Sequence, residues 1–243
     1  MNGVRVPLIR RAMRNDFLSA RGLSTPSASL PLQGLNVLDV GSGGGILSEA
    51  LARLGAEVTG VDACESNVLA AREHAQCDPV TASRINYVCG SAEALVAAGR
   101  QFDGVVCSEV VEHVASPGPF LSSLCTLLRP GGHLVVTTIN RTQLSFWGAV
   151  VAAEYVLGLV PPGTHEWAKF LTPGEVSSVI EGEGLKVEKV TGLLYDPILS
   201  QWSPTSSLAI NYSITAWKPT SVKLSLIDRG RPTHSKYDIK GNE

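Results

Sequence analysis

Two glutamates and a histidine follow directly after an apolar run of the sequence. The segment SEVVEHV, residues 108–114, spaces Glu109, Glu112 and His113 at i, i+3 and i+4. In a helical turn such residues share one face, and together they could bind a divalent cation. Mg²⁺ prefers oxygen ligands, whereas manganese or zinc suits the imidazole better. A loop that packs beside a bound cofactor without any metal is an equally good interpretation.

A glycine-rich loop lies earlier in the chain. The segment DVGSGGG, residues 39–45, stands between an apolar run and a helical pattern, where a ligand can approach the backbone and the helix N-terminus. Asp62 ends the next apolar run, about twenty positions after Gly41, where a carboxylate can accept hydrogen bonds from ribose hydroxyls. Dinucleotide motifs require glycine where this chain has Ile46. The spacing D-x-G-x-G-x-G therefore favours S-adenosylmethionine, with an NAD(P)-dependent reductase or an unrelated glycine turn as alternatives.

The elements that position these residues can be predicted from short apolar runs that alternate with helical patterns. Strands are predicted over 35–40, 56–62, 85–90, 102–108 and 133–140, and later over 185–195 and 207–217. Helices are predicted over 46–55, 66–75, 119–129 and, with Thr172 as N-cap, 172–184. This order is typical of a doubly wound α/β Rossmann-like sheet, mostly parallel, and the two late strands predict an antiparallel edge. Because ligands bind beyond the carboxyl ends of such strands, we expect Gly41, Asp62 and residues 108–113 to face one crevice.

The composition excludes some classes of function. The chain has 243 residues, enough for one large domain, and its 20 Lys and Arg against 22 Asp and Glu give a net charge of −2. A nucleic-acid-binding protein would need a clustered basic excess. The five cysteines are scattered, without a C-x-x-C pair. This pattern argues against a disulfide framework or a thiolate zinc site and favours a reducing compartment.

Several segments together resemble the ubiquinone-biosynthesis O-methyltransferase family, whose members are class I methyltransferases that use S-adenosylmethionine. The segments are VLDVGSGGGILSEALARLGAEVTGVD, SEVVEHV, LLRPGGHLVVTTIN, VPPGTHEWAKF and GLLYDPI. The resemblance covers roughly residues 2–217 and implies one methyltransferase domain over 1–217, while the remainder, 218–243, reads as a flexible tail. Family members methylate ring hydroxyls of polyprenylated dihydroxybenzoates and of demethylubiquinol. We therefore expect this activity, with a non-catalytic scaffold subunit of a quinone-synthesis complex as the alternative.

The resemblance also implies roles for individual residues. Contacts with S-adenosylmethionine are implied for Arg5, Gly41, Asp62 and Ser108, and a Mg²⁺ site is implied for Glu109, Glu112 and His113. Arg5 matches the family arginine that contacts the donor's carboxylate. The Arg-rich opening segment also looks like a mitochondrial transit peptide, a likeness that is coincidental if Arg5 belongs to the domain. Family members carry an aromatic-rich helical segment before this arginine. That segment is not found in this sequence.

An apolar stretch, residues 144–163, interrupts the pattern with Glu154 in its middle. It is too interrupted for a membrane span, which needs about 20 apolar residues. We interpret the insert, about 142–170, as a lid that dips into a bilayer surface, with a core helix or a dimer face as alternatives. His165, which follows the apolar stretch 144–163, is a candidate general base, although a structural hydrogen bond is as good a role.

The family also implies partners and a location. The expected partners are a polyprenylated phenol, a membrane surface and other quinone-biosynthesis proteins in a complex. The expected location is peripheral, on the matrix side of the mitochondrial inner membrane in a eukaryote, or on the cytoplasmic face of the inner membrane in a bacterium.

Overall fold

The chain follows the predicted alternation of strands and helices. The structure, a computed structural model, describes residues 1–14, 28–145, 167–197 and 199–220. Its strands are β1 (Asn36–Val40), β2 (Glu57–Asp62), β3 (Ile85–Cys89), β4 (Phe102–Ser108), β5 (Leu128–Ile139), β6 (Lys186–Asp196), β7 (Gln201–Thr205) and β8 (Asn211–Trp217). Its helices are α1 (Asn2–Arg14), α2 (Ile46–Arg53), α3 (Glu65–Ala75), α4 (Pro79–Ala82), α5 (Ala92–Ala97), α6 (Pro117–Thr126), α7 (Gln143–Ser145) and α8 (Pro173–Gly182), with a 3-10 turn at Trp167–Lys169.

The eight strands form one sheet in the order β3-β2-β1-β4-β5-β8-β6-β7. Strands β1 to β5 pair in parallel, whereas β8 is antiparallel to both β5 and β6. The predicted α/β class, with a mostly parallel sheet and an antiparallel edge, is confirmed. The antiparallel edge, however, is β7, a strand that we did not predict.

The last predicted strand, β8, lies inside the sheet between β5 and β6, and its polar residues are buried. Ser213 and Thr215 in β8 are 1% and 8% exposed. Their hydroxyls reach the carbonyl oxygens of Thr191 and Lys189 in β6 at 3.5 and 3.4 Å. Its alternation of apolar and polar residues therefore does not mark a solvent-facing side.

The first helix packs against the sheet. Ile9 and Met13 in α1 are buried in a cluster with residues of α2 and of the sheet, among them Leu51 and Val135. A Cβ on Gly104 in β4 would lie 2.4 Å from Met13 Cε, so this glycine provides the space in which α1 packs. Residues 2–14 therefore pack as part of the same core as α2 and the sheet.

Several predictions fall on residues outside the described ranges. They concern most of the apolar insert (146–166), His165, and the tail from residue 221 onward. Within the described ranges, none of the helices has the length and apolar character needed to cross a membrane.

Candidate functional site

The glycine loop between β1 and α2 is shaped by steric contacts that only glycine avoids. Gly41 has φ +71°, and a Cβ there would lie 2.3 Å from Val110 Cγ2. Gly45 has φ +83°, and a Cβ there would lie 2.2 Å from Tyr87 Oη. Such positive φ angles already disfavour other residues. The loop therefore keeps open backbone at the carboxyl end of β1.

Asp62 at the end of β2 fixes this loop. Its Oδ2 accepts a hydrogen bond from the Gly43 N–H at 2.8 Å, and its Oδ1 accepts from the Cys64 N–H at 2.9 Å and from Asn67 Nδ2 at 3.1 Å. The carboxylate is thereby held at the wall of a cavity of about 330 Å³. Val110, Val114 and Phe120 give this cavity apolar surface, so it offers a planar base an apolar wall and a ribose an acceptor.

A second cavity, of about 130 Å³, adjoins the first because Gly41 lines both. Its walls carry opposite charges, from the Arg5 guanidinium and the Asp39 carboxylate. Arg5 Nη1 donates to Ser108 Oγ at 2.8 Å, and Arg5 Nε donates to Asn2 Oδ1 at 2.6 Å. A zwitterionic amino-acid group is the ligand that matches one fixed cation and one fixed anion. The structure thus brings the predicted Arg5, Gly41, Asp62 and Ser108 to the two adjoining cavities.

Asp39 is a site residue that our sequence prediction did not include. It is 2% exposed, and burial raises its pKa to about 6, although Ser48 Oγ donates to its Oδ2 at 2.6 Å and Arg5 lies nearby. Burial also lowers the pKa of Arg5, against the influence of Asp39 and Glu109. The available signal was the first position of the motif D-x-G-x-G-x-G, which places this carboxylate beside the glycine loop.

Residues 108–114 do not form the helical turn in which Glu109, Glu112 and His113 would share one face. Glu109 has φ +57°, which ends β4 with a sharp change of direction, and residues 111–113 form a turn. Glu112 is 3% exposed and its Oε2 accepts from Thr138 Oγ1 at 2.7 Å, while Glu109 Oε2 accepts from Asn211 Nδ2 at 3.2 Å. The two glutamates thus contact different strands, β5 and β8, and His113 is exposed.

These three residues do not form a ready-made metal site. Within the described ranges, no group of three or more His, Cys, Asp or Glu side chains is arranged to hold a metal ion. Burial raises the pKa of Glu112, which favours its protonated form over the carboxylate that a metal needs.

The fold is that of class I methyltransferases, and the two adjoining cavities suit a methyltransferase that uses S-adenosylmethionine. Residues 38–136 match the family model described as a methyltransferase domain. Magnesium protoporphyrin IX methyltransferase from Synechocystis PCC 6803, solved with bound S-adenosylhomocysteine, shares the fold. Its TM-score is 0.58 at 21% identity, over 86% of this chain and 83% of that one.

The chain belongs to the ubiquinone biosynthesis O-methyltransferase family, as the resemblance predicted. It is 47% identical to the enzyme of that name from Methylobacterium sp. (strain 4-46), over 81% of this chain and 78% of the relative. It is 44% identical to the relative from Dinoroseobacter shibae, over 90% and 86%. It is also 44% identical to the mitochondrial enzyme from Arabidopsis thaliana, over 87% of this chain but only 64% of that relative's length. Relatives of this chain thus occur in both bacteria and mitochondria.

We expect Arg5→Gln to weaken S-adenosylmethionine binding by roughly 10- to 100-fold, because a charged hydrogen bond to the donor's carboxylate is lost. Arg11→Gln, an exposed position of the same helix that removes the same charge, is the matched control and should leave affinity unchanged. Calorimetric titration measures both. Equal losses in the two variants would show that Arg5 acts through net charge and not through contact.

Proposed function

We propose that this chain transfers the methyl group of S-adenosylmethionine to a ring hydroxyl of polyprenylated dihydroxybenzoate and demethylubiquinol intermediates in ubiquinone biosynthesis. The observation that carries this proposal is the pair of cavities that meet at Gly41 in a member of this family. Asp62 lies at the nucleoside end, whereas Arg5 and Asp39 lie at the amino-acid end.

The proposed reaction is an in-line displacement. The phenolic oxygen forms a bond to the methyl carbon, the carbon–sulfur bond breaks, and its electron pair stays on sulfur as S-adenosylhomocysteine. The phenol's proton leaves to a base or to water. Because the leaving group is a sulfonium, the protein's main task is alignment. Asp62 orients the ribose, Arg5 holds the carboxylate, and the bare backbone at Gly41 lets the donor lie across both cavities.

The proposal includes Mg²⁺ at Glu109, Glu112 and His113. In its favour, both glutamates supply the oxygen atoms that Mg²⁺ prefers. Glu112 contacts β5 and Glu109 contacts the neighbouring strand β8. Binding requires Glu112 as a carboxylate, against the burial that raises its pKa, and requires the exposed His113 to turn toward the glutamates. A bound divalent cation would lower the pKa of the phenol. His165 stays a proposed general base.

Methylation can be tested with labelled S-adenosylmethionine, a short-chain polyprenyl dihydroxybenzoate, and either added Mg²⁺ or a chelator. We expect turnover that Mg²⁺ supports, and Glu109→Ala with Glu112→Ala should abolish it while sparing donor binding. Turnover that persists in chelator would remove the metal from the proposal and leave the methyltransferase. Donor binding without turnover would favour the scaffold alternative, and binding of NADH in place of S-adenosylmethionine would favour a reductase.

We also propose that the chain works peripherally at a membrane and in a complex with other quinone-biosynthesis proteins. The location would be the matrix side of the mitochondrial inner membrane, or the cytoplasmic face in a bacterium. The support is chemical, because a polyprenyl tail resides in lipid and the insert around 142–170 is apolar. Co-sedimentation with phospholipid vesicles should therefore fall in a Phe146→Glu, Trp147→Glu variant, and unchanged binding would exclude the insert as the docking element.

A further inference from the structure

One residue that lines the smaller cavity, Ser42, has a buried hydroxyl without a hydrogen-bond partner among the described residues. Ser42 follows Gly41 in the glycine loop and is 8% exposed. Its backbone is satisfied, because its N–H donates to the Val61 carbonyl and its carbonyl accepts from the Gly45 N–H. Leaving a buried hydroxyl unpaired costs free energy that folding alone does not recover. A ligand that completes this hydroxyl's hydrogen bonding is a direct explanation.

The position of Ser42 indicates which part of the donor it meets. Asp39 in β1 lies opposite Gly60 in β2, and a Cβ on Gly60 would lie 3.1 Å from Ser42 Cβ. Ser42 therefore flanks Asp39 on the β2 side. Arg5 reaches the same cavity from the other side of β1, where it donates a hydrogen bond to Ser108 at the end of β4.

The hydrogen-bonding capacities of these side chains assign the donor's carboxylate to the Arg5 side of β1 and its ammonium group to the side of Asp39 and Ser42. Arg5 can only donate hydrogen bonds, so it suits the carboxylate. The ammonium has three N–H donors and needs acceptors. Asp39 accepts from the hydroxyl and the backbone N–H of Ser48, and its two carboxylate oxygens keep lone pairs for a further donor. The hydroxyl oxygen of Ser42 is a second acceptor.

We propose that Ser42 is a donor-binding residue whose hydroxyl oxygen accepts a hydrogen bond from the α-ammonium group of S-adenosylmethionine, beside Asp39. The inference concerns the methyl donor alone and does not depend on the acceptor or on Mg²⁺. Ser42 thereby helps the cavity select a donor that keeps its amino group.

Calorimetric titration of the full chain with four ligands tests this. S-adenosylmethionine and S-adenosylhomocysteine carry both the ammonium and the carboxylate, decarboxylated S-adenosylmethionine keeps only the ammonium, and 5′-methylthioadenosine lacks both. We expect Ser42→Ala to weaken the three ammonium-bearing ligands by about 10-fold or more. Binding of 5′-methylthioadenosine should stay within about twofold, since its contacts lie in the larger cavity.

Ser91→Ala is the matched control, because Ser91 lines the larger cavity and its hydroxyl already accepts from the Ala94 N–H. Any effect of this variant should be the same for all four ligands. Three results would overturn the proposal: no loss in Ser42→Ala, an equal loss for all four ligands, or a loss confined to the two ligands that carry a carboxylate. The last would assign the hydroxyl to the carboxylate instead.

Discussion

Gly41→Ala is expected to abolish detectable binding of S-adenosylmethionine and with it all methyl transfer. The new methyl group would be placed 2.3 Å from Val110 Cγ2, at a φ of +71° that alanine adopts only with strain. Relief requires the glycine loop or the residues after β4 to move, and Gly41 lines both cavities. The donor would therefore lose room at the point where its nucleoside and amino-acid ends join. Fluorescence or calorimetric titration of the purified variant measures the loss.

Gly34→Ala separates this steric effect from backbone strain. Gly34 has φ +82°, similar to Gly41, but a Cβ there would have no neighbour within 4 Å, and the residue lies near the opposite end of β1. It should lose roughly 1 kcal/mol of stability and keep its donor affinity. If Gly41→Ala binds the donor as well as Gly34→Ala does, the interpretation of the loop as a donor cradle is wrong.

Asp39→Asn is expected to stabilise the folded chain at neutral pH and to weaken donor binding by about 100-fold or more. The pKa of Asp39 is raised from 3.8 to about 6. The folded state therefore holds this proton more tightly than the unfolded state, so stability falls as the pH rises from about 4 to about 6. Above that range the buried charge costs about 3 kcal/mol, which asparagine removes. We expect the Tm to rise by roughly 6–12 °C at pH 8.

The same ionisation should make donor binding depend on pH. Below about pH 6 the protonated Asp39 no longer attracts the donor's ammonium group, so the affinity of the wild type should fall as the pH is lowered, whereas that of Asp39→Asn should stay flat. The charged groups that influence Asp39 are Arg5, which opposes the raised pKa, and Asp62, which adds to it.

Asp103→Asn is the matched control for stability. Asp103 is equally buried, but its carboxylate pairs with Arg129 at 2.7 Å and accepts from the Asn36 N–H at 2.9 Å. Its replacement should therefore lower the Tm, because Arg129 loses its partner. A lowered Tm in both variants at pH 8 would show that the charge of Asp39 stabilises the fold instead of serving the donor.

The sequence predicted those features that depend on local steric and hydrogen-bonding rules. The glycine loop and Asp62 were predictable because their spacing reflects the geometry of one strand-loop-helix unit. The N-terminus of α8 was predictable for the same reason, since Thr172 and Glu175 form a reciprocal capping box. The donor-binding roles of Arg5 and Ser108 were predicted only from family resemblance, and their hydrogen bond was not predicted, because 103 positions separate the two residues in the chain.

The features that were missed depend on distant contacts. The turn after β4 departs from helical geometry because Glu112 is drawn to Thr138 and Glu109 to Asn211, residues that pairing of β5 with β8 brings together. Strand β7 has Pro204 within only five residues, a composition that disfavours a strand except at a sheet edge. The role of Asp39 depends on burial, which its motif position alone does not reveal.

The place of β8 between β5 and β6 has a consequence for the newly made chain. β5 ends at Ile139, but the strand that covers its open side begins only at Asn211. At a synthesis rate of about 5–20 residues per second, that side stays unpaired for roughly 4–14 s after β5 has emerged. Strands β1 to β5, which carry the donor site, can assemble during this interval while the edge of β5 is exposed to other chains. The ribosome-bound intermediate is therefore the stage at which this protein most needs protection from aggregation.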